Sequence, residues 1–140
     1  MSRHQSGLLD TSVIIGLERV RDVSALPERP LISTITLAEL SVGPLVAHDS
    51  ERAARMARLQ QVESDFDPLP FDAPAARAFG RVAASLRQAG RKPAARAYDA
   101  MIAAIAVAND LPLYTCHPRD FAGIDGLDVV AVTIPNPSGR

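Results

Sequence analysis

The sequence predicts an α/β fold in which a mostly parallel sheet is covered by helices on both faces. Two observations lead to this prediction. Short apolar runs, typical of buried strands, alternate along the chain with longer segments of helical periodicity. One of these longer segments, Ala97–Ala108, is apolar around its whole circumference except at Asp99, as expected for a helix packed inside the protein. At 140 residues, the chain suits a single domain spanning residues 1–140.

The N-terminal part of the chain begins with a polar segment and a short strand. Residues 1–6, like the tail at 135–140, have no periodicity, and we expect both ends to be flexible. The apolar pair at residues 8–9 predicts a buried strand that ends at Asp10. Small polar residues then precede the apolar segment 13–17, which is typical of a capped strand-to-helix turn.

The next elements are a strand and two helices. Residues 31–33 form a short apolar run that predicts the second strand. A helix is predicted at residues 34–42, because Gly43 and Pro44 follow as a common stop signal. A second helix is predicted at residues 45–62, where apolar residues share one side and arginines the other.

The C-terminal half completes a five-stranded sheet. Residues 67–71 predict a third strand, which two prolines weaken. A helix at residues 73–89 and the apolar helix follow. The last two strands are predicted at residues 111–115 and 129–133, with a short turn or helix at Pro118–Phe121 between them.

Composition excludes several classes of protein. No apolar run approaches the ~20 residues that cross a bilayer, and the N-terminus lacks the pattern of a secretory signal. We therefore expect a cytoplasmic protein with no membrane contact. Cys116 is the only cysteine, which excludes an internal disulfide and a zinc site built from thiolates.

A basic segment lies behind the net charge of -1. Residues 73–98 contain six Arg or Lys side chains and no acid. A solvated helix face would explain an isolated run of this kind. Because this run leads directly to Asp99, we favour the hypothesis that it steers a polyanion towards that acid. The contact candidates closest to Asp99 in the sequence are Arg87, Arg91, Lys92 and Arg96.

Asp99 is the acid that a structural role explains least well. A carboxylate in a buried helix loses its hydration, so it must be neutralised, paired with a cation or bound to a metal. An ion pair with Arg96, or a position at the end of the helix, is the alternative. The functional interpretation is favoured, since the surrounding helix is otherwise apolar.

Three further acids have ordinary structural alternatives. Asp10 could cap a helix, and Glu39 could form a capping box with Thr36, three residues before it. Asp120 would be favourable in the first turn of a helix. Their predicted positions nevertheless converge with Asp99 on one rim of the sheet, where open parallel sheets bind ligands.

A cleft with four carboxylates requires cations, because like charges raise one another's pKa values. Oxygen ligands without cysteine or a histidine cluster select hard ions such as Mg²⁺ or Mn²⁺. Such ions can orient a phosphodiester and activate a water molecule. Together with the basic segment, the acids indicate hydrolysis of a nucleic-acid backbone.

Four motifs resemble those of the PIN-domain ribonucleases, specifically the VapC-type toxins of bacterial toxin–antitoxin pairs. They lie, in the family's order, at residues 8–15, 33–40, 99–104 and 113–121. The resemblance implies that Asp10 and Asp99 are metal ligands and that Glu39 and Asp120 complete the catalytic acids. It further implies supporting roles for Ser12, Thr115 and His117, of which His117 stands where the family usually has Asn.

The resemblance also implies a three-layer α/β/α fold and a Mg²⁺- or Mn²⁺-dependent endoribonuclease. Its expected partners are an RNA substrate, a VapB-type antitoxin and a second copy in a homodimer. Apolar positions in residues 45–62 are compatible with such a protein surface.

Two other functions remain open. A Mg²⁺-dependent phosphatase with Asp10 as nucleophile fits less well, because Ser12 stands where a second Asp is usual. A non-catalytic RNA-binding subunit could use the fold and the basic segment alone. Cys116 is interpreted as a packing residue and not as a nucleophile.

Overall fold

The computed structural model describes residues 4–135 and contains a four-stranded sheet in the order β2-β1-β3-β4. Every pair of neighbouring strands in it is parallel. The strands are β1 (Ser6–Leu9), β2 (Arg29–Leu31), β3 (Leu113–Thr115) and β4 (Val129–Ala131). The α-helices are α1 (Thr11–Ile15), α2 (Thr34–Val46), α3 (Asp49–Asp65), α4 (Ala73–Gln88) and α5 (Ala97–Ala108).

Helices cover both faces of the sheet, as the alternation of side chains along the strands requires. Leu8 and Leu113 point to one face, where they pack with buried residues of α4 and α5. Leu9 and Tyr114 point to the other face and pack with residues of α1, α2 and α3. The predicted three-layer α/β/α fold is confirmed.

The prediction of a fifth strand at residues 67–71 is wrong for the described residues. Within residues 67–71, only Leu69 makes a β-bridge, an isolated parallel one to Ser33. Its N–H donates to the Ile32 carbonyl at 2.9 Å, and its carbonyl accepts from Thr34 N–H at 2.9 Å. Prolines flank it on both sides, and a proline has no N–H with which to extend a ladder.

The predicted boundary between the second and third helices is also wrong. Helix α2 does not stop before Pro44 but includes it and continues to Val46. Arginines of α3 satisfy the carbonyls at this end: Arg52 Nε donates to the Pro44 carbonyl at 3.1 Å, and Arg55 Nη1 donates to the Gly43 carbonyl at 3.3 Å. Tertiary contacts therefore outweigh the local stop signal.

The two end segments that the sequence predicts to be flexible fall only partly within the described residues. Strand β1 begins at Ser6, one residue inside the segment predicted to be flexible. Of the segments in that prediction, residues 1–3 and 136–140 lie outside the described residues. Among residues 4–135, no helix is long and apolar enough to cross a membrane.

The topology brings several chain segments to the carboxyl edge of the sheet. Helix α1 starts directly after β1, and a short 3-10 helix (Pro118–Phe121) follows β3. A second 3-10 helix (Pro93–Arg96) leads straight into α5, whose bounds agree with the prediction. Asp10 is the N-cap of α1, and Asp99 and Asp120 lie in the first turns of α5 and of the 3-10 helix after β3.

Candidate active site at the carboxyl edge of the sheet

Asp10 is held at the end of β1 by three hydrogen bonds. Its Oδ1 accepts from Ser12 Oγ at 2.6 Å and from the Val13 N–H at 3.2 Å, which makes it the N-cap of α1. Its Oδ2 accepts from Thr115 Oγ1 at 2.5 Å across from β3. The residue is only 5% exposed. The structural role as a cap is confirmed, and the same bonds fix the carboxylate at the edge of the sheet.

Glu39 joins the same edge through a hydroxyl of α1. Thr11 Oγ1 donates to Glu39 Oε1 at 2.7 Å and lies 3.0 Å from Thr36 Oγ1. The structural alternative of a capping box with Thr36 does not apply, because Ser33 is the N-cap of α2 and its Oγ accepts from the Thr36 N–H at 3.1 Å. Glu39 therefore lies beyond the first turn of α2, and its carboxylate faces α1.

Asp99 and Asp120 share one cation, Arg96. Arg96 Nη1 lies 2.8 Å from Asp120 Oδ1 and 3.8 Å from Asp99 Oδ2. The two carboxylates remain partly exposed, at 34% for Asp99 and 31% for Asp120. Both acids lie in the first turns of their helices, where the N-terminal end of a helix favours negative charge. The ion pair between Arg96 and Asp99, which was the structural alternative for Asp99, is present, although it is the longer of the two contacts.

The electrostatics of Asp99 connect all four acids. Burial, as the largest cause, and neighbouring negative charges together raise the pKa of Asp99 from its ordinary 3.8 to about 6. Those charges belong, in order of decreasing effect, to Asp120, Asp10 and Glu39, while Arg96 acts in the opposite direction. The structure thus brings the four predicted acids within electrostatic reach of one another, with more negative than positive charge among them.

A cleft leads from these acids to the basic segment. It has a volume of about 470 Å³ and is lined by Glu39, Ala94, Arg96, Ala97, Tyr98 and Asp99. A second cavity of about 830 Å³ shares Ala94 and Ala97 with it and is lined by Arg87, Arg91 and Lys92 as well. Arg91 Nη1 donates to the Ala122 carbonyl at 2.9 Å, whereas the side chains of Arg87 and Lys92 are exposed. Arg87, Arg91 and Lys92 therefore form a basic rim next to the acids.

The family model of the PIN domain matches residues 7–127, and this match covers all four acids. The chain belongs to the PIN-domain family. It is 41% identical over 130 residues to Ribonuclease VapC5 of Mycobacterium tuberculosis, which covers 91% of this chain and 93% of that protein. Ribonuclease VapC1 of Rickettsia felis is 32% identical over 131 residues, covering 90% and 96% of the two chains.

Solved structures resemble this PIN domain over almost its whole length. In the crystal structure of VapBC-5, a toxin–antitoxin system of Mycobacterium tuberculosis, one chain matches with a TM-score of 0.80 and 36% identity, covering 91% of this chain and 99% of that one. A chain in the DNA-bound VapBC structure from Salmonella typhimurium matches with a TM-score of 0.71 and 28% identity, covering 90% and 96%.

The donor set of this PIN domain suits a hard divalent cation. The acids offer carboxylate oxygens alone, and their mutual repulsion at Asp99 is what such a cation would relieve. Among residues 4–135, however, no three His, Cys, Asp or Glu side chains lie close enough together to enclose a metal ion. Two of the acids are paired with Arg96 in this arrangement. The residue types fit a metal, and the guanidinium of Arg96 lies beside two of the carboxylates that would hold it.

Two predicted residues lie at the margin of the PIN-domain site. The His117 side chain is exposed. The His117 backbone reaches the site: its N–H donates to Thr115 Oγ1 at 3.0 Å, and its carbonyl accepts from the Asp120 N–H at 3.0 Å. Cys116 packs against the core cluster of β1 and β3, and burial raises the pKa of its thiol. Both facts agree with a packing role for Cys116.

Sequence reasoning missed the contribution of Thr11 and of two arginines. Thr11 connects Glu39 to α1, and its place directly after Asp10 was the available signal. Arg55 and Arg58 line a cavity of about 340 Å³ together with Thr11 and Glu39. Their helical spacing in α3 gave no hint of this, because the turn between α2 and α3 decides which way α3 faces.

Proposed function

We propose that this PIN domain is the toxin of a toxin–antitoxin pair and that it hydrolyses RNA in the cytoplasm as a Mg²⁺- or Mn²⁺-dependent endoribonuclease. The observation that carries this proposal is the excess of negative charge around Asp99, whose pKa is raised to about 6 by burial and by three further acids. Relatives that are 41% and 32% identical carry the name Ribonuclease VapC, which supports RNA as the substrate.

In this proposal Asp10 and Asp99 are the metal ligands, while Glu39 and Asp120 complete the acidic site. The bound ion would supply an activated water and neutralise charge on the phosphodiester. Ser12 and Thr115 orient the two oxygens of Asp10 through their short hydrogen bonds. Such donors fix a ligating carboxylate in one orientation, and this lowers the cost of assembling the site.

The basic rim is proposed to hold the RNA backbone. Arg87 and Lys92 are exposed, and they line the cavity that adjoins the acidic cleft. An RNA strand that follows this rim would pass from cationic side chains to the carboxylates. Arg91 is less available to bind RNA, because its Nη1 already donates to the Ala122 carbonyl.

The helices on the α2–α3 side are proposed to bind the antitoxin and a second copy of the chain. At the end of α2, Val42, Leu45 and Val46 are exposed, Leu45 to 80%. A separate groove of about 540 Å³ is lined by residues of α1 and α3, and its apolar wall includes Ile14 and Leu17. Exposed apolar side chains that lie close together are typical of protein interfaces, and the matched VapBC-5 structure is that of a member of a family of toxin–antitoxin systems.

The decisive experiment measures RNA cleavage with and without a divalent cation. Wild type should cut RNA in Mg²⁺ or Mn²⁺ and stop in EDTA, and Asp99→Asn should lower the rate about 100-fold or more. Asp67→Asn is the matched control, since Asp67 is exposed, does not line the acidic cleft and is not among the charges that act on Asp99; it should cut like wild type. Equal cutting by wild type and Asp99→Asn would refute the metal-nuclease proposal, and RNA binding without cutting in any metal would favour a non-catalytic RNA-binding subunit.

The RNA-binding rim predicts a change in salt dependence. In EDTA, where the proposed nuclease does not cut, Arg87→Gln with Lys92→Gln should weaken binding of single-stranded RNA. Loss of two phosphate contacts should reduce the slope of log affinity against log salt by about 1.4. The control is Arg77→Gln with Arg81→Gln, which removes the same charge from exposed positions of α4 outside both cavities. Identical slopes in the two double variants would remove Arg87 and Lys92 from the interface.

A further inference from the structure

Arg96 has a position that its proposed contact with RNA does not explain. Its guanidinium lies between two acids of the site, 2.8 Å from Asp120 and 3.8 Å from Asp99. Its backbone is the N-cap residue of α5 and the last residue of a 3-10 helix. Its side chain is 42% exposed, so it can move into solvent without disturbing the core. The chain therefore carries its own cation in the acidic cleft.

We propose that Arg96 is a built-in counter-ion, which closes the acidic site in the metal-free protein and which a divalent cation must displace from Asp120 and Asp99. This inference rests on the proposed function, because it assumes that the acids bind a metal. It assigns Arg96 a positioning role towards the acids in addition to any contact with substrate.

Competition follows from the geometry of the contacts. Each ion-pair contact places the guanidinium next to a carboxylate oxygen that a metal ion would need, and two positive charges a few ångströms apart repel one another. Arg96 Nη1 lies 2.8 Å from Asp120 Oδ1, so this oxygen is occupied while Arg96 stays in place. Release of Arg96 therefore frees oxygens for the metal and removes a positive charge from its site.

After displacement from the acids, Arg96 would still lie beside the acidic cleft. The residue lines the cleft of about 470 Å³ that contains Glu39 and Asp99. A guanidinium freed from carboxylates is suited to bind a phosphate in bidentate fashion. Metal loading and exposure of a phosphate-binding arginine would then be one event, and a metal-free protein would present neither group to RNA.

The test is calorimetric titration of Mn²⁺ alone into the full-length protein, without RNA. Arg96→Gln removes the competing charge and should bind Mn²⁺ roughly three- to tenfold more tightly than the control. The control is Arg81→Gln, which makes the same change of charge at an exposed position of α4 that lines neither cleft. The affinity of the control should equal that of wild type.

Thermal unfolding supplies a second measurement. In EDTA, Arg96→Gln should unfold at a lower temperature than Arg81→Gln, because its acids lack their counter-ion. Added Mn²⁺ should raise the unfolding temperature of Arg96→Gln by more than that of Arg81→Gln. If Arg96→Gln does not fold, Arg96→Lys can be titrated instead. Lysine is a point charge without the planar fork, so its Mn²⁺ affinity should rise by about twofold or more.

The outcomes separate this inference from the proposed function. If wild type binds Mn²⁺ and Arg96→Gln binds it no more tightly than Arg81→Gln, the counter-ion role is wrong and the metal site stands. If none of the proteins binds Mn²⁺, the metal site itself is refuted and the inference falls with it. Weaker binding by Arg96→Gln would show that Arg96 assists the metal and would also overturn the inference.

Discussion

Asp10 and Asp99 are the same residue type at the same edge of the sheet, yet they are held in opposite ways. Asp10 is 5% exposed and receives three hydrogen bonds from uncharged donors. Asp99 is 34% exposed, and within residues 4–135 its carboxylate has one ion-pair partner, Arg96, at 3.8 Å. Hydrogen bonding therefore stabilises the carboxylate of Asp10, whereas the surroundings of Asp99 oppose its charge.

The difference shows which part of the site is rigid. Asp10 caps α1 directly after β1 and is tied to β3 through Thr115, so two strands determine its position. The charge of Asp99 is opposed by burial and by three acids and is favoured by Arg96, so its stability changes when a cation approaches or leaves. We infer one preorganised ligand and one adjustable ligand, and the comparison can be broken by changing each acid in turn.

The largest difference is expected between Asp10→Ala and Asp99→Ala in metal-free protein. Asp10→Ala removes a helix cap and leaves the hydroxyl of fully buried Thr115 without its acceptor. The free energy of unfolding should fall by about 2–4 kcal/mol. Asp99→Ala removes a charge that its surroundings disfavour, so it should be neutral or stabilising. Urea unfolding in EDTA measures both, and equal losses would contradict the division into rigid and adjustable acids.

The next effect is a dependence on pH. Between pH 3.8 and about 6, folded protein keeps a proton on Asp99 that the unfolded chain has released. Stability from this group is therefore complete below pH 3.8 and is lost as pH rises through about 6. At pH 8 in EDTA, Asp99→Asn should be more stable than wild type by about 1–2 kcal/mol, a figure reduced for solvent screening of the partly exposed group.

The pH prediction has its own control. At pH 4 the two proteins should have nearly the same free energy of unfolding, because Asp99 is protonated in the folded wild type. The difference between them should therefore grow between pH 4 and pH 6 and stay constant above that range. A difference that is the same at every pH would show that the Asp99→Asn substitution acts through packing and that the charge of Asp99 is not the cause.

Much of this arrangement could be predicted, since periodicity and caps are local signals. The apolar circumference of Ala97–Ala108 identified α5 with its bounds, and strand order along the chain placed Asp10 and Asp120 at one edge. The position of Asp10 could be predicted for this reason. A cap next to a strand end depends only on residues that are neighbours in sequence.

The surroundings of Asp99 were harder to predict, because they depend on contacts between residues that are distant in the sequence. Arg96 was interpreted as an RNA contact, while its shorter ion pair is with Asp120, which lies beyond α5 and β3. Similarly, Pro44 looked like a helix stop, but Arg52 of α3 bonds its carbonyl. No local pattern reports which long side chain will reach across to another element.

The smallest effect on stability, and the sharpest test of Glu39, is expected from Glu39→Gln. Glutamine keeps an oxygen that can accept from Thr11 Oγ1, so the free energy of unfolding should change by less than about 0.5 kcal/mol. The loss of charge should nevertheless lower metal-dependent RNA cleavage about tenfold or more. Thr11→Val is the matched variant, because it removes the hydrogen bond and keeps the charge. If Glu39→Gln cleaves RNA at the wild-type rate while Thr11→Val loses stability, Glu39 only connects α1 to α2, and three acids suffice for the site.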